Sequence, residues 1–368
     1  MYMRILLVPD TSRSNANASF LLAKSLVRIL RDRGHKTALC APPYAKLRNC
    51  AFYRAPEPPS IFPFLLPAQA EAVETDLYRQ KLSSYSFLRA DLDALQSAIK
   101  RFQPDLLLDL GRISTAIAAR TQHLPRCLLI FAAQYRPVHF QGKTLNGVNR
   151  LLSEEKLEQI LRLETLREEA DMQFMFGPTT VQNMDENERR LRYGSMEAER
   201  LLQYGRKLCI CFSETSLPVF HLRRILHSAF AGAYNPVLVY CKGAQGIAPT
   251  PIEYCRTIRA DFLNMAQVCI HDGNPWMFNQ CAVHGIPQLV FANEGWQRSR
   301  IASIVQHHGI GIVKNEKSLT MAALYENYRA LINDDHYRET CLLFAQSYRP
   351  LGDITRLVQH IEVQFSKK

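Results

Sequence analysis

The first forty residues carry an apolar run, an amphipathic segment and a second apolar run, in that order. Residues 4–8 are a short, nearly uninterrupted apolar run, the pattern of a strand buried on both faces. After the polar stretch Asp10–Asn17, leucines recur at helical spacing from Leu22 to Leu30, and Gly34 suits the C-cap of that helix. A second strand is predicted over Lys36–Cys40. The order strand, helix, strand predicts parallel pairing in an α/β sheet.

The same alternation continues towards the C-terminus. Further strands are predicted over Pro104–Asp109, Cys127–Ala132, Gln173–Phe176, Leu208–Phe212, Val237–Tyr240, Val268–Ile270, Gln288–Phe291 and Ile310–Val313. Helices are predicted to end near Lys100 and to span about 151–170, 218–231, 252–258, 275–284, 298–307, 319–332, 335–347 and 352–364. This pattern predicts an α/β protein with two successive Rossmann-like domains.

Two segments interrupt the alternation. Residues 56–67 are Pro-rich and apolar, so we expect a long loop that covers a hydrophobic acceptor, touches a membrane surface or packs on its own domain. Residues 185–206 are charge-dense without a strand pattern, and we expect them to link the domains. The predicted domains are therefore 1–200 and 207–350, followed by a C-terminal helix in 351–368.

Composition is consistent with a globular protein in the cytoplasm. The 368 residues suffice for two cores, and 47% hydrophobic with 21% charged residues excludes disordered, collagen-like and coiled-coil classes. No apolar run reaches the roughly 20 residues of a membrane span, and the N-terminus lacks a signal-peptide core. The ten cysteines form neither a CxxC pair nor a zinc-spaced cluster, so we expect reduced core thiols and no metal site.

The net charge of +11 is unevenly distributed. Residues 1–150 hold 21 basic and 10 acidic side chains, whereas the rest of the chain holds 24 of each. This asymmetry suggests an anionic partner for the first domain, such as a phosphorylated substrate, an acidic membrane surface or nucleic acid. The alternative is that the arginines only keep the protein soluble.

The most informative stretch is residues 266–302. A predicted strand ends at His271, Gly273 follows, and Asn274 can N-cap a helix that starts with Pro275. A helix start usually leaves four N–H groups free, and together with the helix dipole they favour an anion. The pattern thus indicates a phosphate or diphosphate site, or else an ordinary strand–turn–helix with a capped start.

The wider pattern resembles the donor-binding signature of GT-B glycosyltransferases, especially the UDP-glucuronosyl, UDP-glucosyl and antibiotic glycosyltransferases. In that family a buried strand leads to His-Gly-Gly, a helix, Gly-Val-Pro, an apolar strand and an Asp/Glu-Gln pair. The matching residues are His271, Asp272, Gly273, Gly285-Ile286-Pro287, Leu289–Phe291 and Gln297, with weaker matches at Arg33-Gly34-His35, Phe102–Asp109 and Gly309–Gly311. The resemblance covers nearly the full chain, thinly over 45–100.

The resemblance implies a cleft between two Rossmann-like domains, with the acceptor on the first, the nucleotide sugar on the second and the last helix crossing back. The implied donor-binding residues are His271, Gly273, Asn274, Gln280, Gln297, Thr215 and Ser216. His271 would contact the diphosphate and Gln297 the sugar, while Thr215 and Ser216 would lie near the phosphates. The position of the ribose-binding Glu falls on Asn279 or Gln280. No metal or cofactor is implied, since the nucleotide sugar is a co-substrate.

The chain also departs from the family pattern. Asp272 replaces a glycine beside the expected diphosphate, and Trp296 replaces the acid of the Asp/Glu-Gln pair. The catalytic His of inverting members falls on Ser19, and the first loop contains no His at all. Asp10 and Asp109, at the ends of predicted strands, are the available carboxylates, each either a catalytic base or a helix cap.

Two further residues are weaker candidates. Arg13, in the same loop, is a candidate phosphate or acceptor contact. His139 is more simply interpreted as a surface or packing residue.

The sequence therefore predicts a cytoplasmic, metal-independent, inverting glycosyltransferase that uses a UDP- or dTDP-type sugar. Its acceptor is expected to be a small-molecule, lipid-linked or glycan hydroxyl, with peripheral contact to an acidic membrane and no nucleic acid. Two alternatives follow from the departures: a catalytically silent GT-B partner or regulatory subunit, and a GT-B nucleotide-sugar epimerase or hydrolase.

Overall fold

A computed structural model shows two compact units. The first contains Met1–Tyr193 and Asp353–Lys368, and the second contains Gly194–Gly352. The residues that the structure describes are 2–12, 16–47, 50–59, 77–78, 80–131, 143–181, 187–198, 203–213, 215–241, 243, 248–258, 261–293 and 296–365.

The first unit is built on a parallel sheet whose described strands run in the order β3-β2-β1-β4-β5-β6-β7. These strands are β1 (Arg4–Pro9), β2 (Lys36–Ala41), β3 (Ala51–Arg54), β4 (Leu106–Leu110), β5 (Arg126–Phe131), β6 (Met172–Phe176) and β7 (Arg190–Tyr193). Its helices include α1 (Ala16–Asp32), α2 (Tyr85–Phe102), α3 (Ile113–Gln122), α4 (Lys143–Glu154) and α5 (Leu163–Glu168). Helix α2 contributes Leu88, Leu92, Leu95 and Ile99 to the core, which explains its three-to-four-residue apolar spacing.

The second unit repeats the architecture on a parallel sheet in the order β10-β9-β8-β11-β12-β13. Its strands are β8 (Lys207–Phe212), β9 (Val237–Cys241), β10 (Ile252–Cys255), β11 (Ala266–His271), β12 (Gln288–Ala292) and β13 (Gly311–Asn315). Its helices include α6 (Val219–Phe230), α7 (Pro275–His284), α8 (Trp296–His307), α9 (Met321–Asn333) and α10 (Asp335–Gln346). This strand order is that of a doubly wound Rossmann sheet, so the predicted fold class is confirmed.

Three secondary-structure predictions are wrong. The predicted helix 252–258 is strand β10, because pairing with β9 outweighs a weak local helical pattern. Residues 185–206 contain the four-residue strand β7, which is held by pairing with β6 at the sheet edge, although the boundary between the two units does lie in this segment, after Tyr193. Helix 151–170 is two helices, α4 and α5, separated by residues 155–162.

The last helix, α11 (Ile354–Phe365), belongs to the first unit and packs on α1. Glu362 on α11 accepts hydrogen bonds from Arg33, at 2.8 and 2.5 Å, and lies 2.9 Å from Nε2 of His35. The Nδ1 atom of His35 accepts the Met3 N–H, so Nε2 carries the proton and donates to Glu362. Among the described residues, no helix is both long and apolar enough to cross a membrane.

Replacing Glu362 with glutamine is expected to lower the free energy of unfolding at pH 7, because it removes the charge that pairs with Arg33. The loss is only about 1 kcal/mol, since Arg33 is partly exposed and solvent screens the pair. The Arg33 hydrogen bonds lower the pKa of Glu362, so its contribution is present above the unfolded pKa of about 4.3 and is lost as pH falls through the lower folded value. The difference in free energy of unfolding between the two proteins, measured by urea unfolding, should therefore shrink as pH falls below about 4.3. Glu168→Gln, which removes a more exposed ion pair with Arg162, is the control and should change stability by less than about 0.5 kcal/mol. An E362Q difference that stays constant or grows as the pH is lowered would contradict the assignment.

Candidate functional site

The chain order of each sheet reverses at one pair of strands, and ligands of open α/β sheets bind at the carboxyl ends of such pairs. In the second unit this pair is β8 and β11. Ser213 follows β8, and the turn Asp272–Gly273–Asn274 connects β11 to α7. All four residues are buried, so this turn forms the floor of the candidate site.

His271 ends β11, and its side chain is fully buried. Its Nδ1 accepts the Gly273 N–H at 3.1 Å, which leaves Nε2 to donate to Oε1 of Gln288 at 2.9 Å. Burial lowers the pKa of His271 to about 4, so the ring is neutral at pH 7. In this arrangement His271 orients the turn, whereas its contact with a diphosphate stays a prediction.

Gly273 has a left-handed φ of +80°, and a Cβ there would lie 3.0 Å from the Cβ of Arg298. Neither the conformation nor the space suits another residue. Gly273 therefore lets the turn pack directly against the first turn of α8.

The start of α7 differs from the sequence-based expectation of free N–H groups. Pro275 has no N–H, and Oδ1 of Asn274 accepts those of Trp276 and Met277 at 3.0 and 3.2 Å. The Phe278 N–H donates to the Asn274 backbone carbonyl. The expectation is wrong because the Asn274 side chain already satisfies the helix start.

A buried ion pair lies beside this cap. Oδ2 of Asp272 is 2.7 Å from Nη1 of Arg298, and both side chains are almost fully buried. The same Nη1 donates to the Asp272 backbone carbonyl at 2.8 Å. Ser213 donates its hydroxyl to the Asp272 carboxylate at 3.1 Å and accepts Nδ2 of Asn274 at 3.0 Å. The Asp272 carboxylate, which stands where the family pattern has a glycine, is thus neutralised by Arg298.

Two buried polar groups at the starts of α7 and α8 have no hydrogen-bond partner among the described residues. They are Nε1 of Trp276 and both amide atoms of Gln297, whose side chain is only 2% exposed. A buried amide with neither its donor nor its acceptor satisfied is costly, and either a ligand or an ordered water would satisfy it. Gln297 is the residue predicted to bind the donor sugar.

Asn279 and Gln280 are buried in α7 and serve the local structure. Asn279 donates to the Gly194 carbonyl at 2.7 Å and accepts the Met196 N–H at 3.0 Å. Gln280 donates to Oδ1 of Asn279 at 3.1 Å. The contact with a ribose, expected of Asn279 or Gln280, stays a prediction.

Thr215 and Ser216 lie in the loop after β8. Oγ1 of Thr215 accepts the Leu217 N–H at 3.0 Å. The buried carboxylate of Glu316, just after β13, accepts both the N–H and the hydroxyl of Ser216, the latter at 2.6 Å. Glu316 therefore shapes the loop whose residues were predicted to lie near the phosphates.

In the sheet of the first unit, the chain order of the strands reverses between β1 and β4. Asp10 directly follows β1. Its carboxylate accepts the N–H and the hydroxyl of Ser12 at 2.8 and 2.7 Å, and its side chain is 8% exposed. Its own N–H donates to Oγ of Ser19 at 2.7 Å. Asp10 therefore lies next to the position at which the family resemblance predicts a catalytic base.

Asp109, near the end of β4, is bonded on both carboxylate oxygens. Oδ1 accepts the N–H groups of Gly111 and Arg112, each at 2.9 Å, and Oδ2 pairs with Nη1 of Arg126 at 2.9 Å. Only 1% of Asp109 is exposed. These contacts fit a residue that fixes the turn before α3 better than a base that meets substrate.

A second buried network, which the sequence did not reveal, lies at the same sheet edge. Arg112 pairs with Asp91 of α2 and donates to the Cys40 carbonyl at 2.8 Å. Ser114 also donates to Asp91. This network joins the ends of β2 and β4 to α2, and it holds the strand ends that flank Asp10.

Some predicted features lie outside the described residues: Arg13, His139, the side chain of Trp296 and residues 60–67 of the apolar loop. In the described part of the chain, no group of three His, Cys, Asp or Glu residues is arranged to hold a metal ion.

Comparisons with known proteins can be set against this geometry. Residues 253–350 match the family model of the erythromycin biosynthesis protein CIII-like C-terminal domain. No curated protein matches the sequence. The chain is similar to glycosyltransferase VinC in complex with dTDP, at 15% identity and a TM-score of 0.70 over 100% of both chains. It is similar to CalG4, the calicheamicin glycosyltransferase, at 18% identity and a TM-score of 0.67 over 98% of each chain. The Streptomyces sp. SF2575 glycosyltransferase SsfS6, complexed with thymidine diphosphate, matches at 16% identity and a TM-score of 0.68, over 97% of this chain and 99% of that one. The chain has the GT-B fold of the antibiotic glycosyltransferases.

The resemblance read from the sequence is thereby confirmed at the level of the fold. In this GT-B chain the family model spans the turn 272–274 together with Gln297 and Arg298, whereas Asp10 and Asp109 lie outside it. The three solved structures are glycosyltransferases by name, and at 15–18% identity they show the fold of this chain.

The buried histidines of the second GT-B domain predict acid sensitivity. Burial lowers the pKa values of His271 and His284 to about 4, below the ordinary value of about 6.5. Between these values the unfolded chain binds more protons, so stability falls as pH falls, by up to about 3 kcal/mol for His271. His271→Asn, which keeps an acceptor for Gly273, should flatten the pH dependence of urea unfolding between pH 7 and 4.5. The exposed His336→Asn control should not, and equal slopes in all three proteins would refute the assignment.

Proposed function

We propose that this protein is a glycosyltransferase that transfers a sugar from a UDP- or dTDP-type donor to an acceptor hydroxyl. The observation that carries the proposal is the likeness of the whole chain to glycosyltransferases, two of which hold thymidine diphosphate. The fold alone does not select a reaction. The buried, unpartnered amide of Gln297 adds a group that is suited to a sugar hydroxyl.

On the donor side, we propose that the sugar lies against Gln297 and the diphosphate against Arg298 and the start of α7. Guanidinium groups bind phosphate oxygens bidentately, and the dipole of α7 favours negative charge at its start even where its N–H groups are capped. Both would stabilise the charge that develops on the leaving diphosphate. His271 would act as a positioning residue through the Gly273 N–H, and no metal is needed in this scheme.

On the acceptor side, we propose Asp10 as the base of an inverting transfer. The Asp10 carboxylate takes the proton of the acceptor hydroxyl while that oxygen attacks the anomeric carbon. The bond from that carbon to the diphosphate oxygen breaks, and its electron pair leaves with the nucleoside diphosphate. Asp109 would hold the neighbouring turn and would not exchange a proton, since Arg126 and two N–H groups occupy its oxygens.

The acceptor is proposed to be an anionic small molecule, a lipid-linked compound or a glycan. The 21 basic against 10 acidic residues in 1–150 support a negatively charged acceptor or contact with an acidic membrane surface. A cytoplasmic location with peripheral membrane contact is part of this proposal.

The test combines binding with product analysis. Titration calorimetry with UDP, dTDP and GDP is expected to show binding of UDP or dTDP. Incubation of the matching nucleotide sugars with an acceptor panel should give a glycosylated product of inverted anomeric configuration. Product from the donor alone would instead indicate hydrolysis or epimerisation. Nucleotide binding without turnover on any acceptor would favour a silent GT-B partner, and the absence of all nucleotide binding would overturn the proposal.

A further inference from the structure

The turn at the end of β11 carries its own anion, held against the cation that a ligand phosphate would use. Resting on the proposed function, we propose that Asp272 competes internally with the donor diphosphate for Arg298, and that this competition sets the donor affinity. Diphosphate binding would then require Arg298 to exchange the carboxylate for a phosphate oxygen.

Arg298 would bind a phosphate with the same atoms that hold Asp272. A guanidinium presents a planar fork of donors that fits a carboxylate and a phosphate in the same way, so the two anions use the same atoms. Nη1 of Arg298 already serves both the carboxylate and the backbone carbonyl of Asp272. A phosphate that approached with this pair intact would meet a guanidinium whose charge is already compensated by the Asp272 carboxylate.

The N–H groups at the start of α7 are already hydrogen bonded. The N–H groups of Trp276 and Met277 donate to Asn274, and Asn274 is itself tied through Ser213 to Asp272. The cap and the ion pair are therefore one connected network. Unless the network opens, an anion at this helix start gains little from the N–H groups, because they are already hydrogen bonded. Arg298 is then the group that contributes most to the binding of the anion.

Polar groups beside the pair have no hydrogen-bond partner in the part of the chain that the structure describes. Nε1 of Trp276 is a donor, and the amide of Gln297 offers a donor and an acceptor; all are buried and unpartnered among the described residues. Gln297 immediately precedes Arg298 in the first turn of α8. A ligand that presents both hydroxyl and anionic oxygens at this turn would satisfy groups that the chain leaves unsatisfied.

The test measures the affinity of inorganic pyrophosphate, dTDP and UDP by calorimetry at pH 7 for matched variants. Asp272→Asn keeps the shape and releases Arg298, so binding should tighten about tenfold relative to the wild type, equivalent to about 1.4 kcal/mol. The double variant Asp272→Asn/Arg298→Gln should lose that gain. Glu316→Gln neutralises another buried carboxylate of the same unit, one bonded to Ser216 rather than to Arg298, and it should not produce the gain.

The outcomes separate this inference from the proposed function. Unchanged or weaker binding by D272N, an equal gain in E316Q, or a gain that survives in the double variant overturns the competition. If dTDP binds the wild type tightly with no gain in D272N, the donor assignment stands and the competition falls. If pyrophosphate shows the gain while no variant binds a nucleoside diphosphate, the competition stands and the donor assignment falls.

Stability provides a second readout on the same variants. D272N removes the counter-charge that Asp272 provides to the buried Arg298, so millimolar pyrophosphate should raise the Tm of D272N more than that of the wild type or of the double variant. Should D272N be unfolded alone, pyrophosphate is expected to restore cooperative unfolding. Failure to raise the Tm or to restore folding overturns the proposal.

Discussion

Replacing Asp10 with asparagine is expected to lower kcat for sugar transfer by about 10²–10⁴-fold, the usual contribution of a positioned general base. The change should leave the fold intact. Asparagine keeps an oxygen for the Ser12 N–H, and its amide N–H can donate to the Ser12 hydroxyl, which accepts equally well. KM for the donor and the Tm should stay close to the wild-type values. The measurement is steady-state kinetics on the best donor and acceptor pair, together with thermal unfolding.

Asp109→Asn is the matched control, because it neutralises the other candidate carboxylate in the same unit. It should act mainly on stability, since its amide N–H would face the Nη1 of Arg126 and leave that guanidinium uncompensated. A D10N enzyme that keeps its kcat, or a folded D109N enzyme that loses it, would reverse the roles assigned to the two residues.

Replacing Arg126 with methionine is expected to lower the free energy of unfolding of the first unit by about 3–5 kcal/mol. Both members of the Arg126–Asp109 pair are almost fully buried, so the variant leaves a carboxylate without a counter-charge in an apolar environment. The Leu166 carbonyl would also lose the hydrogen bond that Arg126 donates. Urea unfolding, followed by a probe in the first unit, measures the loss.

A double-mutant cycle separates the pair from the loss of side-chain volume. The double variant Asp109→Asn/Arg126→Met should recover part of the stability, because neither charge of the pair remains buried. Arg120→Met removes the more exposed pair with Glu169 and should cost at most about 1 kcal/mol. Similar losses of unfolding free energy for the Arg120 and Arg126 variants would show that the buried Arg126–Asp109 pair contributes no more to stability than the more exposed pair.

The parallel sheets were largely predictable because their central strands are short, continuous apolar runs bounded by Gly, Pro or polar residues. The strands that escaped prediction are β3, β7 and β10, which lie at sheet edges and are only partly buried. Half-buried strands of four residues carry too little periodicity to be told from a loop or a helix turn. Their identity comes from pairing with a neighbour distant in the chain.

The candidate site was predictable in position and only partly in detail. The strand–Gly–Asn–Pro pattern correctly placed a capped helix start after His271, yet the same Asn274 that signals the cap also occupies the N–H groups. Arg298 and Arg126 gave no signal, since a buried, paired arginine has the same local sequence context as an exposed one. Their roles depend on carboxylates 26 and 17 residues away, which only the fold brings within reach.

The return of α11 to the first unit also affects how the protein folds during synthesis. The 159 residues of Gly194–Gly352 are translated between the last strand of the first sheet and the helix that completes that unit. At roughly 5–20 residues per second, the ribosome needs about 8–30 s to make them. Throughout that interval the face of α1 that packs on α11 is uncovered, and Arg33 and His35 lack their partner Glu362. A ribosome that stalls anywhere in Gly194–Gly352 therefore leaves a nascent chain whose first unit lacks α11.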